Sequence, residues 1–274
     1  MKRFKNLLIV CMCAFMMVLS VMTESVSAFD EEKPTEAVLI KNLNGWVTMP
    51  KDQKRYYRNG KYFKGCKKIG KKYYFFNSNG LLQKKNVTVN GILYYIDVDG
   101  QVQGQKKGSW YYSPTGKKLS KDKANELRAY QNARRVVSAI TSSKMSKEEK
   151  LKVCFEWMKY NDYRSWRKLS SGGESWYAVN ANDLLKRRSG DCISYACALA
   201  YMAKVIGYED VNVCSRGTRK DNLHTWTEIN GLVYDSYFAK QGRGNGKYYG
   251  ISYDEYKFET VLRQKIPEKN SWLS

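Results

Sequence analysis

The chain has a single histidine, His224, among 274 residues. That excludes a multi-histidine zinc site, and no paired-cysteine motif offers a metal an alternative ligand set. No metal and no cofactor is expected. Negative charge is the second scarcity: 26 Asp and Glu stand against 48 Lys and Arg, a formal net charge of +22. The deficit is steepest between Gly45 and Lys121, where 17 basic residues meet 3 acidic ones. Such a segment favours an anionic polymer or acidic glycan as partner. Nucleic acid is the poorer fit, because no recognition-helix motif is present. Long apolar runs are also missing, apart from the uncharged stretch Leu7 to Met22 that follows Met1-Lys2-Arg3-Phe4-Lys5. With the small residues Val26-Ser27-Ala28 behind it, that run has the form of a secretory signal peptide cleaved near Phe29. It is short for a membrane span and no second one follows, so the mature protein is expected to be exported without a span.

The cysteine count bears on a nucleophile. Cys11 and Cys13 lie in the leader, which leaves Cys66, Cys154, Cys192, Cys197 and Cys214, an odd number. One unpaired thiol is what a nucleophile would leave behind. Structural disulfides are possible but not required.

The chain divides on composition into a leader (1–28), a spacer (29–44), a repeat region (45–121) and a C-terminal domain (122–274). Aromatics, Lys and Gly dominate the repeat region, with turn glycines Gly60, Gly80, Gly100 and Gly116 spaced 20, 20 and 16 residues apart. Each unit reads as a strand, a tight Asn-Gly or Asp-Gly type turn and a second short strand. A lone hairpin cannot bury its aromatic face, so neighbours are expected to stack into a short solenoid. Trp46, Tyr57, Tyr74, Tyr95, Trp110 and Tyr112 are the candidate ligand-contacting aromatics.

Residues 122–142 carry apolar positions at helical spacing, and Ser146 to Glu149 is a capping box opening a helix with Leu151, Cys154, Phe155 and Met158 on one face. A short helix over 182–186 delivers the chain to Ser189-Gly190-Asp191. Loops are expected at 170–174 and 242–246, and a second capping box at Ser252 to Glu255 opens a last helix that Ile266-Pro267 ends.

The chemistry concentrates between Arg187 and Phe238. Cys192 opens an apolar helix running to Gly207, so the thiol sits where free N–H groups and the dipole favour a thiolate. Its own backbone N–H could help bind an oxyanion. His224-Thr-Trp-Thr-Glu-Ile alternates like a strand and meets Asn230-Gly231, a strong hairpin signal. That turn pairs Ile229 with Leu232, Glu228 with Val233, Trp226 with Asp235 and His224 with Tyr237. Asp235 is then a diagonal neighbour of His224 on the same face.

Gly190-Asp191-Cys192-Ile-Ser-Tyr-Ala, His224-Thr-Trp226-Thr-Glu-Ile and Val233-Tyr-Asp235-Ser together resemble the core of the transglutaminase-like superfamily, over roughly 142–238. The resemblance implies an α+β, papain-like fold. It also implies a triad of Cys192 as nucleophile, His224 as base and Asp235 as orienter. It further suggests Trp176, Tyr177 and Trp226 as oxyanion or substrate contacts. The repeats resemble cell-wall-binding repeats of the choline- or glucan-binding type. Gly45-Trp46 fits that pattern, but Gly65-Cys66 and Asn86 replace two cage aromatics and Trp110 is shifted, which leaves the ligand open. The implied protein is a secreted, wall-associated thiol enzyme acting on a protein or peptide amide, with transfer to water or an amine. The alternative is a surface-binding protein with an inactive scaffold. A chain starting near Asp122 is expected to keep activity on soluble substrates and to lose wall attachment.

Overall fold

The computed structural model describes residues 42–168, 172–218, 220–221, 224–242, 247–256 and 258–273. The leader and nearly all of the spacer lie outside these residues, as do Ser170 and Ser171 and most of the loop expected at 242–246. The chain divides into two compact units, Met1–Asn44 with Arg58–Lys61 and Gly45–Tyr57 with Tyr62–Ser274. In the first, Leu43 O accepts from Gly60 N and Asn44 Oδ1 from Asn59 N. The second holds the rest of the described residues.

Its N-terminal part is a run of antiparallel hairpins. β1 (Gly45–Met49) pairs β2 (Gln53–Arg58), and β3 (Lys61–Tyr62) completes that sheet. β4 (Gly65–Ile69) pairs β5 (Lys72–Phe76), and β6 (Val87–Val89), β7 (Ile92–Ile96), β8 (Val102–Lys107) and β9 (Trp110–Tyr112) form a four-stranded sheet. The Asn-Gly and Asp-Gly turns exist as expected. Asn77 Oδ1 accepts from Asn79 N and Leu81 N, and Asp97 Oδ1 from Asp99 N and Gln101 N. Sequence reading missed the turn before each aromatic pair. Asn90-Gly91, with φ of 50° and 72°, closes the β6–β7 ladder, a left-handed pair that suits this dipeptide. The aromatic faces pack between successive units: Trp46 on Tyr74 at 5.1 Å, the buried Phe75 on Tyr94 at 4.7 Å, and Tyr95 parallel to Tyr111 at 6.4 Å.

The rest is α+β. α1 (Lys121–Ile140) is capped by Ser120, and α2 (Lys147–Met158) by the Ser146–Glu149 capping box with both reciprocal bonds formed. β10 (Asp162–Tyr163) runs parallel to β11 (Ser189–Gly190), on either side of α3 (Trp176–Arg187). Then come α4 (Cys192–Ile206) and β12 (Val211–Ser215). β13 (Thr225–Ile229), β14 (Leu232–Tyr234), α5 (Ser236–Lys240), β15 (Tyr249–Ile251), α6 (Tyr253–Tyr256) and β16 (Leu262–Lys265) complete the core. The sheet is antiparallel in the order β15-β14-β13-β12-β16.

α4 is the centre. Every residue from Ile193 to Lys204 is buried, as an all-round apolar helix must be. Its alanines let α1, α2, α3 and β13 approach closely, and Gly207 ends it at a φ of 107°. Lys204 is tolerated inside because its Nζ donates to Glu268 Oε2 at 2.8 Å and to Glu209 O at 3.0 Å.

The C-terminal segment differs from its expected helix. α6 is a single turn, and Leu262–Lys265 alternates inward and outward as an edge strand on β12. The capping bond from Ser252 N to Glu255 Oε2 forms at 3.3 Å, but pairing to β12 outcompetes helix propagation. Among the described residues no helix is long and apolar enough to cross a membrane.

Candidate active site

The hairpin that carries His224 follows the register the turn dictates for three pairs: Ile229 with Leu232, Glu228 with Val233, Thr227 with Tyr234. Beyond Tyr234 it departs. β14 stops, and Asp235 becomes the N-cap of α5 instead of facing Trp226 across the ladder. The juxtaposition with His224 survives this change. His224 Nε2 and Asp235 Oδ2 lie 2.6 Å apart, and both side chains are buried. A carboxylate can only accept, so the imidazole carries its proton on Nε2 and presents Nδ1 as its basic nitrogen.

Asp235 is fixed from three sides. Its Oδ1 accepts from Phe238 N at 3.0 Å, capping α5, and its Oδ2 accepts from Tyr256 Oη at 2.8 Å as well as from His224. Burial, and then the Asp235 charge, raise the Tyr256 hydroxyl far above its usual range, so it stays a donor. The imidazole stacks on Phe238 at 3.9 Å and 11° and meets Phe258 edge-on at 5.8 Å. Packing thus sets its plane while Asp235 sets its tautomer.

Cys192 is the first residue of α4 and is half-buried. The cap before it is Asp191, whose Oδ1 accepts from Ser194 N at 3.1 Å and whose Oδ2 accepts from Ser165 Oγ at 3.1 Å. Gly190 is required by space: a Cβ there would lie 2.4 Å from Ser194 Cβ. One turn along α4, the Tyr195 ring packs on Tyr237 at 5.6 Å, and Tyr237 lies 6.3 Å from the His224 ring. The Cys192 end of α4 and the His224–Asp235 pair therefore share one aromatic neighbourhood.

Tyr163 belongs to it too, and sequence reading missed it. The β10–β11 pairing sets Tyr163 opposite Gly190, and its ring packs on Tyr237 at 5.1 Å while the residue stays 55% exposed. Partial burial, then a charge on Cys192, raise its hydroxyl. A two-residue parallel strand leaves no periodic trace from which to find it. Trp166 Nε1 donates to Ser189 O at 3.0 Å, and Arg167 grips Asp183 with two bonds of 2.7 and 2.9 Å, tying this segment to α3.

Of the suggested oxyanion or substrate residues, Trp226 stacks on the His224 ring at 6.3 Å, while Trp176 and Tyr177 are not brought here. Tyr177 stacks on Tyr201 and donates to Glu126 Oε1 at 2.7 Å. Tyr201 lies nine residues along α4 from Cys192, about 13 Å of helix. Trp176 is buried beside Tyr177 in the core. Trp226 is fully buried behind His224, its Nε1 already donated to Tyr253 Oη at 3.2 Å. The resemblance suggested these residues; Trp176 and Tyr177 occupy faces of α3 that turn them into the core. Glu228, on the same strand face, is held by Tyr253 Oη at 2.5 Å, Arg263 Nη2 at 2.8 Å and Asn212 Nδ2 at 3.1 Å, which anchors β13.

The repeat aromatics are dispersed. Of the six candidates, Trp46 and Tyr74 pack on each other, while Tyr57 packs on Tyr62 and Tyr95 on Tyr111. Tyr112 ends β9, where it bridges to Lys118. Trp110 is 56% exposed, but Lys118 Nζ sits 3.2 Å above its ring. The chain's own cation thus takes the face that a cationic ligand would need.

Residues 134–244 match the family described as the transglutaminase-like superfamily. This segment is a transglutaminase-like core. No curated protein matches the chain. Among solved structures, the choline-binding domain of Spr1274 from Streptococcus pneumoniae is similar at 24% identity and a TM-score of 0.20, over 22% of this chain and 92% of that one. Choline-binding protein F from the same organism is similar at 22% identity and 0.23, over 28% and 27% of the two chains. CbpJ from Streptococcus pneumoniae TIGR4 is similar at 21% and 0.23, over 28% and 29%. This chain therefore spans under a third of the latter two. Cys192, His224 and Asp235 all fall within the transglutaminase-like core, as does Tyr163.

Proposed function

We propose that this protein is a cell-envelope thiol enzyme that opens amide bonds through a Cys192 thioester. The observation that carries the reading is the buried 2.6 Å contact of His224 Nε2 with Asp235 Oδ2, in the aromatic neighbourhood that also holds the start of α4. His224 Nδ1 takes the Sγ proton, and the thiolate attacks the amide carbonyl carbon of a peptide or a glutamine side chain. The C–N bond breaks as the imidazolium returns that proton to the leaving nitrogen, and the acyl group stays on sulfur. Water or an amine then gives its proton to Nδ1 and displaces the thiolate. The helix dipole at Cys192 favours both the thiolate and the charge that develops on the carbonyl oxygen.

The other thiols are poor rivals. Burial pushes Cys154 and Cys214 up to about 12 and Cys66 up to about 11, and raises Cys197 well above the usual thiol range. A thiol at about 12 is ionised to roughly one part in 10⁵ at pH 7. Iodoacetamide at neutral pH should therefore modify Cys192 first, with loss of activity in step. Equal modification of Cys192 and Cys154 in the folded protein would sink the assignment. An acyl adduct on Cys192, trapped with a peptide amide substrate and absent in Cys192→Ala, is the direct test.

Attachment is assigned to the repeats and their +14 charge, with an anionic wall polymer as the ligand. The rings that lie under the chain's own lysines and arginines favour an anionic ligand over a cationic one. Arg55 and Lys64 over Tyr62, and Lys118 over Trp110, are examples.

A further inference from the structure

A cleft of about 680 Å³ opens where the later hairpins meet the start of α1 and the C-terminal segment. Its size is that of a ligand site. Lys71, Lys72, Lys117, Lys118 and Lys123 line it, and no Asp or Glu does. The remaining wall sets hydrogen-bonding side chains, among them Gln101, Ser113, Thr115 and Asn270, beside apolar ones such as Leu119 and Trp272. Asp97, the carboxylate buried behind it, is neutralised by Lys269 Nζ at 2.7 Å and accepts a hydrogen bond from Gln103 Nε2 at 2.8 Å. In the same wall Gln103 Oε1 and Asn270 Oδ1 are buried acceptors without a hydrogen-bond partner.

We infer that this cleft is the anchoring site for a segment of hydroxylated polyanion, its anionic groups seated on Lys71, Lys72 and Lys117 and its hydroxyls on the amide and hydroxyl wall. The inference rests on the proposed envelope attachment and narrows it: one site takes the polymer, in place of charge spread over every hairpin. Lys118 is pinned over Trp110 and helps shape the wall. The ligand is a polyol phosphate or a carboxylated glycan, since both present spaced anions on a hydroxylated backbone. The repeat aromatics, dispersed and packed on one another or under the chain's own cations, are scaffold in this arrangement.

The test compares two variants of the mature full-length chain with equal charge loss: Lys71→Ala/Lys72→Ala/Lys117→Ala in the cleft, and Lys84→Ala/Lys85→Ala/Lys107→Ala outside it. All six side chains are exposed, so both variants should melt like the parent. Binding is measured to a soluble glycerol-phosphate oligomer, an oligogalacturonate and a neutral glucan. The cleft variant should lose at least about tenfold affinity for the anionic probe, with a salt slope shallower by about one per lysine, against about threefold for the control. The better of the two anionic probes identifies phosphate or carboxylate. Equal losses in the two variants, or binding of the neutral glucan as tight as that of either anion, overturn the inference. If the parent pellets with isolated walls yet binds neither anionic probe, the cleft assignment fails and attachment stands. If it does not pellet at all, attachment itself fails.

Discussion

Asp235→Asn should lower kcat/KM on a soluble peptide amide by on the order of a thousandfold or more, while leaving the melting temperature close to the parent's. The geometry forces the sign. Asp235 Oδ1 caps α5 through Phe238 N, and asparagine caps as well as aspartate does. That bond needs an oxygen, so the introduced amide must present its NH₂ where Oδ2 now meets His224. An NH₂ donates, and Nε2 must then accept. The ring proton moves to Nδ1, the nitrogen that has to receive the Cys192 proton, and the base is blocked. Labelling of Cys192 by iodoacetamide should slow in parallel. Asp235→Ala is the contrasting variant: it loses the cap as well, at about 1 kcal/mol of stability, on top of the same loss of orientation. Tyr256→Phe removes one donor to the same carboxylate and should cost far less activity than either. Full activity in Asp235→Asn would mean that another group orients the histidine.

The dyad was legible in the sequence for a reason that held only in part. Asn230-Gly231 adopts the left-handed pair of a tight hairpin, with φ of 50° and 78°, and so fixes the first three cross-strand pairs. The fourth pair fails because Asp235 has a stronger local option, an N-cap bond, than continuing a ladder at the end of β14. Reach rather than register then delivers Oδ2 to the imidazole. Cys192 was legible from its Gly-Asp lead-in, and the structure shows the cause: Gly190 for clearance and Asp191 as the cap of α4. Tyr163 was not legible, because two residues of parallel strand have no periodicity and its partner, Gly190, is 27 residues away. Trp176 and Tyr177 were suggested by resemblance alone, which says nothing about which face of α3 they occupy. The repeat period was plain, and the turns after the aromatic pairs close hairpins such as β7–β8, but the further turns that precede those pairs, such as Asn90-Gly91, were not legible from it.

A chain that begins at Asp122 should be markedly less stable than one that begins at Phe29 and keeps the repeats. The boundary in composition at 121/122 is not a break in packing. Gly104 of β8 has no side chain, and a Cβ there would meet Leu127 Cδ2 of α1 at 2.7 Å, so backbone and leucine are in direct contact. Trp272 Nε1 donates to Gln103 O at 2.8 Å, Lys269 pairs with Asp97 at 2.7 Å, and Arg134 donates to Ile96 O. Removing the repeats exposes Leu127 and Trp272, which are now buried, at roughly 2 kcal/mol each. It also strips partners from Arg134 and the indole. The sum, on the order of 5 kcal/mol, is comparable with the whole stability of an ordinary domain. Urea unfolding followed by tryptophan fluorescence should therefore give 122–274 a midpoint far below that of 29–274, with reduced activity even on small soluble substrates. A cut after Lys85 keeps β6 to β9, together with the bond from Ile96 N to Asn86 Oδ1 at 2.8 Å, and should restore most of that midpoint. An unchanged midpoint for 122–274 would show that these contacts contribute nothing to the core, and the repeats could then be treated as a separable module.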